Sequence, residues 1–177
     1  TASRTIEFVA GGSGIVAGTT ACVQFNHATP GEVAIRWATG GSGVIVRGGS
    51  YSNAHGIDNS FTGSVTVTGN VTGGSATYAC GINNSFTGSV TVTGDVTGGG
   101  GTVACGIDNS FGGSVTVTGN VTGGSYTGAY GIYNGPTGSV TVTGDVTGGG
   151  GGIAYGICND SSGIVTINGD CYAGNAP

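Results

Sequence analysis

The chain contains no lysine, no methionine and no leucine, and only one glutamine, Gln24. These residues are among the stronger helix formers. Without them the alphabet is Val, Ile, Thr, Tyr, Gly, Asn and Ser, which favours strands and turns, so almost no helix is expected. Charge is equally scarce. Only 6% of the residues are charged, and three arginines face eight acids for a net charge of −5. So few cations cannot neutralise a row of phosphates, which argues against a nucleic-acid partner. Glycine interrupts every apolar run well short of a bilayer's thickness, so no membrane span is expected.

Recognisable chemistry is missing as well. The five cysteines, Cys22, Cys80, Cys105, Cys158 and Cys171, form no C-x-x-C pair. With only His27 and His55 to help, they assemble no metal knuckle, and no metal or other cofactor is expected. The odd count leaves one thiol free or paired between molecules. Neither histidine has a Ser, Cys or acid neighbour in triad order, and the carboxylates lie at repeat positions or at Glu7 and Glu32. The chain is therefore read as not an enzyme. It begins at Thr1 rather than Met, as a processed chain or a piece of something larger would.

Glycine is what the chain has most of: 42 of 177 residues, about three times its usual share. Low charge and abundant glycine do not here imply disorder, because Val and Thr alternate throughout and disordered segments avoid such residues. The organising feature is an internal repeat. Residues 63–87 read GSVTVTGNVTGGSATYACGINNSFT, and ungapped copies follow at 88–112, 113–137 and 138–162, with a partial copy at 163–177. Residues 43–62 read as an earlier, shortened coil.

Within a copy, Val65, Val67 and Val71 alternate with Thr66, Thr68, Asn70 and Thr72. Period-2 alternation marks a half-buried strand, with Val inward and Thr outward. One copy is too small to bury a core. Copies stacked in register place each Val about 4.8 Å from its counterpart. Stacking predicts ranks of like residues. Ile57, Ile82, Ile107, Ile132 and Ile157 make a hydrophobic spine; Asn59, Asn84, Asn109, Asn134 and Asn159 make a polar one. Two compatible readings stand for the Asn rank: side-chain hydrogen bonds along the rod, or tolerance of left-handed backbone in a turn. Asn70, Asp95, Asn120 and Asp145 alternate at one position, which keeps carboxylates on adjacent coils apart; Asp145 followed by Asp170 breaks the pattern.

The expected fold is all-β, a β-solenoid (parallel β-helix-like) of 25-residue coils over residues 42–177. A non-repeating β segment over 1–41 would serve as a cap or an assembly joint. An antiparallel meander, one hairpin per copy, is the competing topology; direct stacking of identical ranks favours the solenoid. Cys80 and Cys105 fall opposite each other on adjacent coils, as a disulfide or as two buried thiols. Asn70, Asn83, Asn120 and Asn159 each open an N-x-S/T sequon, which an Asn- and Thr-rich repeat also produces by chance.

The phrase G-x-V-T-V-T-G-[ND]-V-T-G-G, followed by A-x-G-I-x-N, resembles Gly-rich β-helical repeats of phage tail fibres and bacterial surface or filament proteins, over residues 43–177. The resemblance implies a fibre or filament subunit that self-associates, located extracellularly, at the cell surface or in a virion, with surface glycans as a further partner class. The T-x-T phrases at Thr66 and Thr68, Thr91 and Thr93, Thr116 and Thr118, and Thr141 and Thr143 resemble the ranks of solenoid ice-binding proteins. The last copy departs from that pattern as Thr166-Ile167-Asn168, and the first is read as Ile45-Val46-Arg47.

Overall fold

The computed structural model describes residues 53–60 and 62–175 in full, and before them the backbone of five strands. His27 and Cys22 lie outside the described residues. Among the described residues there are strands, turns and bends and no helix.

The strands come in threes. The first turn supplies β1 (Arg4–Phe8), β2 (Ile15–Val16) and β3 (Val23–Phe25), and the second β4 (Glu32–Trp37), β5 (Val44–Arg47) and β6 (Ile57–Asn59). The repeats supply β7 (Ser64–Thr68), β8 (Asn70–Thr72) and β9 (Ile82–Asn83), then β10 (Ser89–Thr93), β11 (Val96–Thr97) and β12 (Ile107–Asn109). Next come β13 (Ser114–Val117), β14 (Val121–Thr122) and β15 (Ile132–Asn134), followed by β16 (Ser139–Val142), β17 (Val146–Thr147) and β18 (Ile157–Asn159). The final coil adds β19 (Ile164–Ile167) and β20 (Cys171–Tyr172).

Every third strand joins the same sheet. The order β1-β4-β7-β10-β13-β16-β19 makes one sheet, β2-β5-β8-β11-β14-β17-β20 a second, and β18-β15-β12-β9-β6-β3 a third. All the pairings are parallel, which excludes the meander. The fold is a three-sided β-solenoid. Through the repeats the register is one full copy: Val90 pairs with Val65 and Val115, and Ile107 with Ile82 and Ile132.

The alternation places the core. In β10 the valines are buried and Thr91 and Thr93 exposed. Val67, Val92, Val117 and Val142 are fully buried, as are Ile57, Ile82, Ile107 and Ile132, and they form one continuous cluster. Each such side chain contributes about 1.5–3 kcal/mol of burial, and the solenoid supplies this only because each coil covers its neighbour. The tight lumen explains the glycine of each Ala-x-Gly-Ile phrase. A Cβ on Gly81 would lie 2.6 Å from Val96 Cγ1 and 2.8 Å from the carbonyl of Gly106, so no side chain fits there.

Two features describe the first turns. Strands within residues 1–41 belong to the same three sheets as the repeats: Arg4 pairs with Val33, and Val23 with Ile57. Val46 and Arg47 pair with Val71 and Thr72, in the second sheet, so Ile45-Val46-Arg47 is not the first copy of the T-x-T phrase. That place belongs to β4, where Ala34 pairs with Thr66 and Ile35 with Val67. The first-sheet strand that precedes β5 and β6 is Glu32–Trp37.

Candidate functional site

Four main side-chain ranks, the third with a neighbouring companion rank, run along the rod and define its chemistry. The first is internal. Asn59, Asn84, Asn109 and Asn134 are completely buried. Each Nδ2 donates to Oδ1 of the asparagine one coil on, at 2.8 Å in all four steps from Asn59 to Asn159. The same Nδ2 donates to the carbonyl four residues ahead, that of Gly88 for Asn84 and Gly113 for Asn109. Among the described residues, positive φ outside glycine falls at Thr137 and Ser161 rather than on this rank. The position therefore demands an amide, which both donates and accepts, and not left-handed backbone. The rank ends at Asn59, whose Oδ1 has no partner among the described residues; the residue paired with it one turn earlier, Phe25, has no donor side chain. The glycine four residues on is part of the device, because a Cβ on Gly113 would lie 2.1 Å from Asn84 Nδ2.

The second rank lies at the outer edge. The backbone N–H of Asp95 donates to Asn70 Oδ1, that of Asn120 to Asp95 Oδ1, that of Asp145 to Asn120 Oδ1 and that of Asp170 to Asp145 Oδ1, each at 2.9 Å. Sequence alone suggested charge spacing here. Hydrogen bonding adds a stronger requirement, a side-chain oxygen at every coil, which Asn and Asp meet equally.

The third rank is His55, Cys80, Cys105, Tyr130 and Tyr155. The Cys80 N–H donates to His55 Nδ1 at 3.2 Å, and both Cys80 and Cys105 are buried free thiols. Tyr130 and Tyr155 stack with ring centroids 5.9 Å apart. The tyrosine hydroxyls of Tyr130 and Tyr133 are pushed above the ordinary range, chiefly by burial. A neighbouring rank holds Asp58, Asn83, Asp108 and Tyr133. Asp58 Oδ1 accepts from Ser60 Oγ and Asn83 Nδ2, and Ser110 Oγ donates to Asp108. Burial raises the Asp108 carboxyl above its ordinary value, with the Ser110 bond partly opposing it.

The fourth is the outward threonine face. Thr66 and Thr68 pair with Thr91 and Thr93, and Thr116 pairs with Thr91 and with Thr141. Thr68, Thr91, Thr93, Thr116, Thr118 and Thr143 are exposed; Thr66 and Thr141 are half-buried. On a different flank Phe86 and Phe111, 48% and 64% exposed, join Pro136 and Thr87, Ser110 and Thr137 around a groove of about 370 Å³. Sequence reasoning missed this aromatic corner, although its signal, Phe or Pro at one place in successive copies, was available.

The sequons differ in environment. Asn83 Nδ2 is held by Asp58, and Asn159 Nδ2 by the carbonyl of Gly163. Asn70 and Asn120 use Oδ1 in the outer rank. Ile157 is only half-buried, and the last described coil leaves Ile164 63% exposed and Tyr172 49% exposed. Tyr172 donates to Asp170 Oδ2 at 3.0 Å, and that bond and charge raise the phenol's pKa. Among the described residues no three His, Cys, Asp or Glu side chains gather as a metal site, and no helix is long and apolar enough to cross a membrane.

These ranks define a class by shape alone, a regular parallel β-solenoid with hydrogen-bonded Asn and Asx ladders. Comparison with protein-family models, with curated proteins and with solved structures finds no match.

Proposed function

We propose that the protein is a structural subunit of an extracellular, cell-surface or virion fibre, assembling through its ends. The observation that carries this reading is the edge of the last described coil. Strands β18, β19 and β20 end their three sheets, all with the parallel direction and spacing that join coil to coil inside the rod. A coil arriving from a second copy meets the same pattern that an internal coil meets. Such a contact is head-to-tail, and a head-to-tail contact that does not close gives a filament. Val165 and Ile167 are only half-buried at that edge, whereas Val140 and Val142 one coil earlier are fully buried. The groove at Phe86, Phe111 and Pro136 supports an adhesive flank, since exposed aromatic patches on otherwise polar surfaces mark binding sites.

The test is electron microscopy of the purified chain beside Val165→Pro. Ile164 and Asn168 donate their N–H groups backward to Gly138 and Val142, so the alternate residue Val165 faces forward along the rod. Proline there removes a forward donor and leaves the backward bonds in place. Wild-type filaments, with folded single rods from the variant, are expected. Single rods from both proteins would end the fibre reading.

Water ordering is the second reading, supported by the in-register exposed threonines. Outward residues two apart lie about 6.7 Å from each other, and the ranks repeat about every 4.8 Å. Strand propensity selects the same threonines without any ice, and Asp95 lies beside the ranks. No ice shaping is expected of the wild type. Ice shaping abolished by Thr68→Tyr and Thr93→Tyr, with the fold intact, would reverse the ranking.

A further inference from the structure

The Cys80–Cys105 pair is the one place where two cysteines meet on neighbouring coils among the described residues. The backbone fixes their alignment. The N–H of Ala79 donates to the carbonyl of Val103, that of Gly81 to Cys105 and that of Ile82 to Gly106, at 2.9–3.0 Å. Cys80 and Cys105 are therefore directly opposite each other across one coil spacing. Parallel neighbours about 4.8 Å apart fall within the Cα separation of about 4.4–6.8 Å that a disulfide accepts. Both side chains are 1% exposed and occupy the same rank on adjacent coils. His55, next in the same rank, accepts the Cys80 backbone N–H at Nδ1, 3.2 Å away.

We propose that Cys80 and Cys105 are a modification site: they close into a disulfide that staples one coil to the next, with a small-molecule disulfide such as oxidised glutathione as oxidant. The balance is simple. One thiol loses its proton to His55 or water and attacks a sulfur of the oxidant, releasing one glutathione thiolate. The second thiolate then attacks the mixed disulfide, forming the Cys80–Cys105 bond and releasing the second glutathione. Two protons and two electrons leave the protein, and one disulfide becomes two thiols.

The site's environment sets when this happens. The neighbouring Cys105 thiol, followed by burial, holds the Cys80 proton well above the usual cysteine range. Folded Cys80 is thus held protonated, and both thiols are shielded and slow to react. The staple forms quickly only while the two coils are closing, and once formed it is equally protected from reductants. The next members of the rank, Tyr130 and Tyr155, stack where the thiols end, so the rank is covalent in one half of the rod and aromatic in the other.

The experiment uses the full chain, denatured and reduced, then refolded in a glutathione redox buffer. A second sample is folded under reductant and exposed to the same buffer afterwards. Remaining thiols are alkylated under denaturing conditions, and the protein is cleaved after Phe86, which lies between the two cysteines, for mass mapping. The refolded sample should yield the Cys80–Cys105 linked peptide, and the prefolded sample the same link many times more slowly. The linked protein should unfold at higher urea, a shift that reductant removes and that Cys105→Ser never shows. Two alkylated cysteines at 80 and 105 in the refolded sample would overturn the proposal. So would a dominant link involving Cys22, Cys158 or Cys171, or the prefolded sample linking as fast as the refolded one. Because Cys105→Ser removes only the link, its circular dichroism matching the reduced wild type shows that lost linkage is not lost fold.

Discussion

The inner corner and the outer edge of the same coils each carry an asparagine rank at the same spacing, and they tolerate different residues. Inside, Asn59, Asn84, Asn109, Asn134 and Asn159 never vary. Outside, Asn70, Asp95, Asn120, Asp145 and Asp170 exchange amide for carboxylate from coil to coil. The hydrogen bonds explain the difference. The inner amide donates to the next amide and to a glycine carbonyl and also accepts, while completely buried. The outer side chain only accepts, from a backbone N–H, and is open to solvent. A carboxylate can replace an amide wherever acceptance alone is needed, and cannot where donation is needed in a buried site.

Asn109→Asp is the sharpest way to break that comparison. Its oxygen still accepts from Asn84, but the donations to Asn134 Oδ1 and the Gly113 carbonyl disappear and a buried charge faces two oxygens. The expected cost is on the order of 3–5 kcal/mol, read as a lower urea midpoint. Acid should recover part of it, since a protonated carboxyl regains one donor. A variant as stable as wild type at neutral pH would show that the inner rank does not depend on donation.

The outer rank gives the smaller counterpart. Asn120→Asp keeps the oxygen that accepts the Asp145 N–H, and its penalty is an unbroken run of carboxylates from Asp95 to Asp170. The expected loss is under about 1 kcal/mol and shrinks further in salt, because exposed charges are screened. A loss that matches Asn109→Asp, or that salt leaves unchanged, would erase the distinction between the two ranks.

How much of this the sequence reveals follows from where it repeats. The strands, the inward valines, the isoleucine spine and the solenoid itself are legible because every coil from Gly63 restates them at one spacing. The first turns are not. Glu32 pairs with Ser64, a spacing of 32 residues, and Val46 with Val71, a spacing of 25. Alternation of apolar and polar residues identifies a strand and its buried face, but not which of three sheets it joins, so Ile45-Val46-Arg47 passes for a first-sheet strand. The outer rank was only half legible for another reason. A partner that is a backbone N–H leaves no covarying side chain, so its Asn and Asp alternation reads as charge spacing alone.

A last and smaller effect separates carboxylates within the rod. Asp108 lies half-buried beside Asn83 and Tyr133 on adjacent coils, whereas Asp95 is exposed in the outer rank. Burial raises the Asp108 carboxyl above its ordinary value, so the fold favours its neutral form. A group raised in the folded state contributes its full stability below the unfolded value, and that contribution is lost as pH rises through the folded value. At neutral pH the charged Asp108 therefore lowers stability relative to a neutral side chain of the same shape. Asn at this position already serves one coil earlier, as Asn83, and its Oδ1 can still accept from Ser110 Oγ. Asp108→Asn should accordingly raise the urea midpoint slightly at neutral pH, with the gap closing as the solution is acidified below the ordinary aspartate range. The matching change at the edge, Asp95→Asn, is the control, because its side chain is solvated and only its oxygen is used. A gap for Asp108→Asn that stays constant from acid to neutral pH, or that favours the wild type at neutral pH, would show that burial of this carboxylate does not strain the rod.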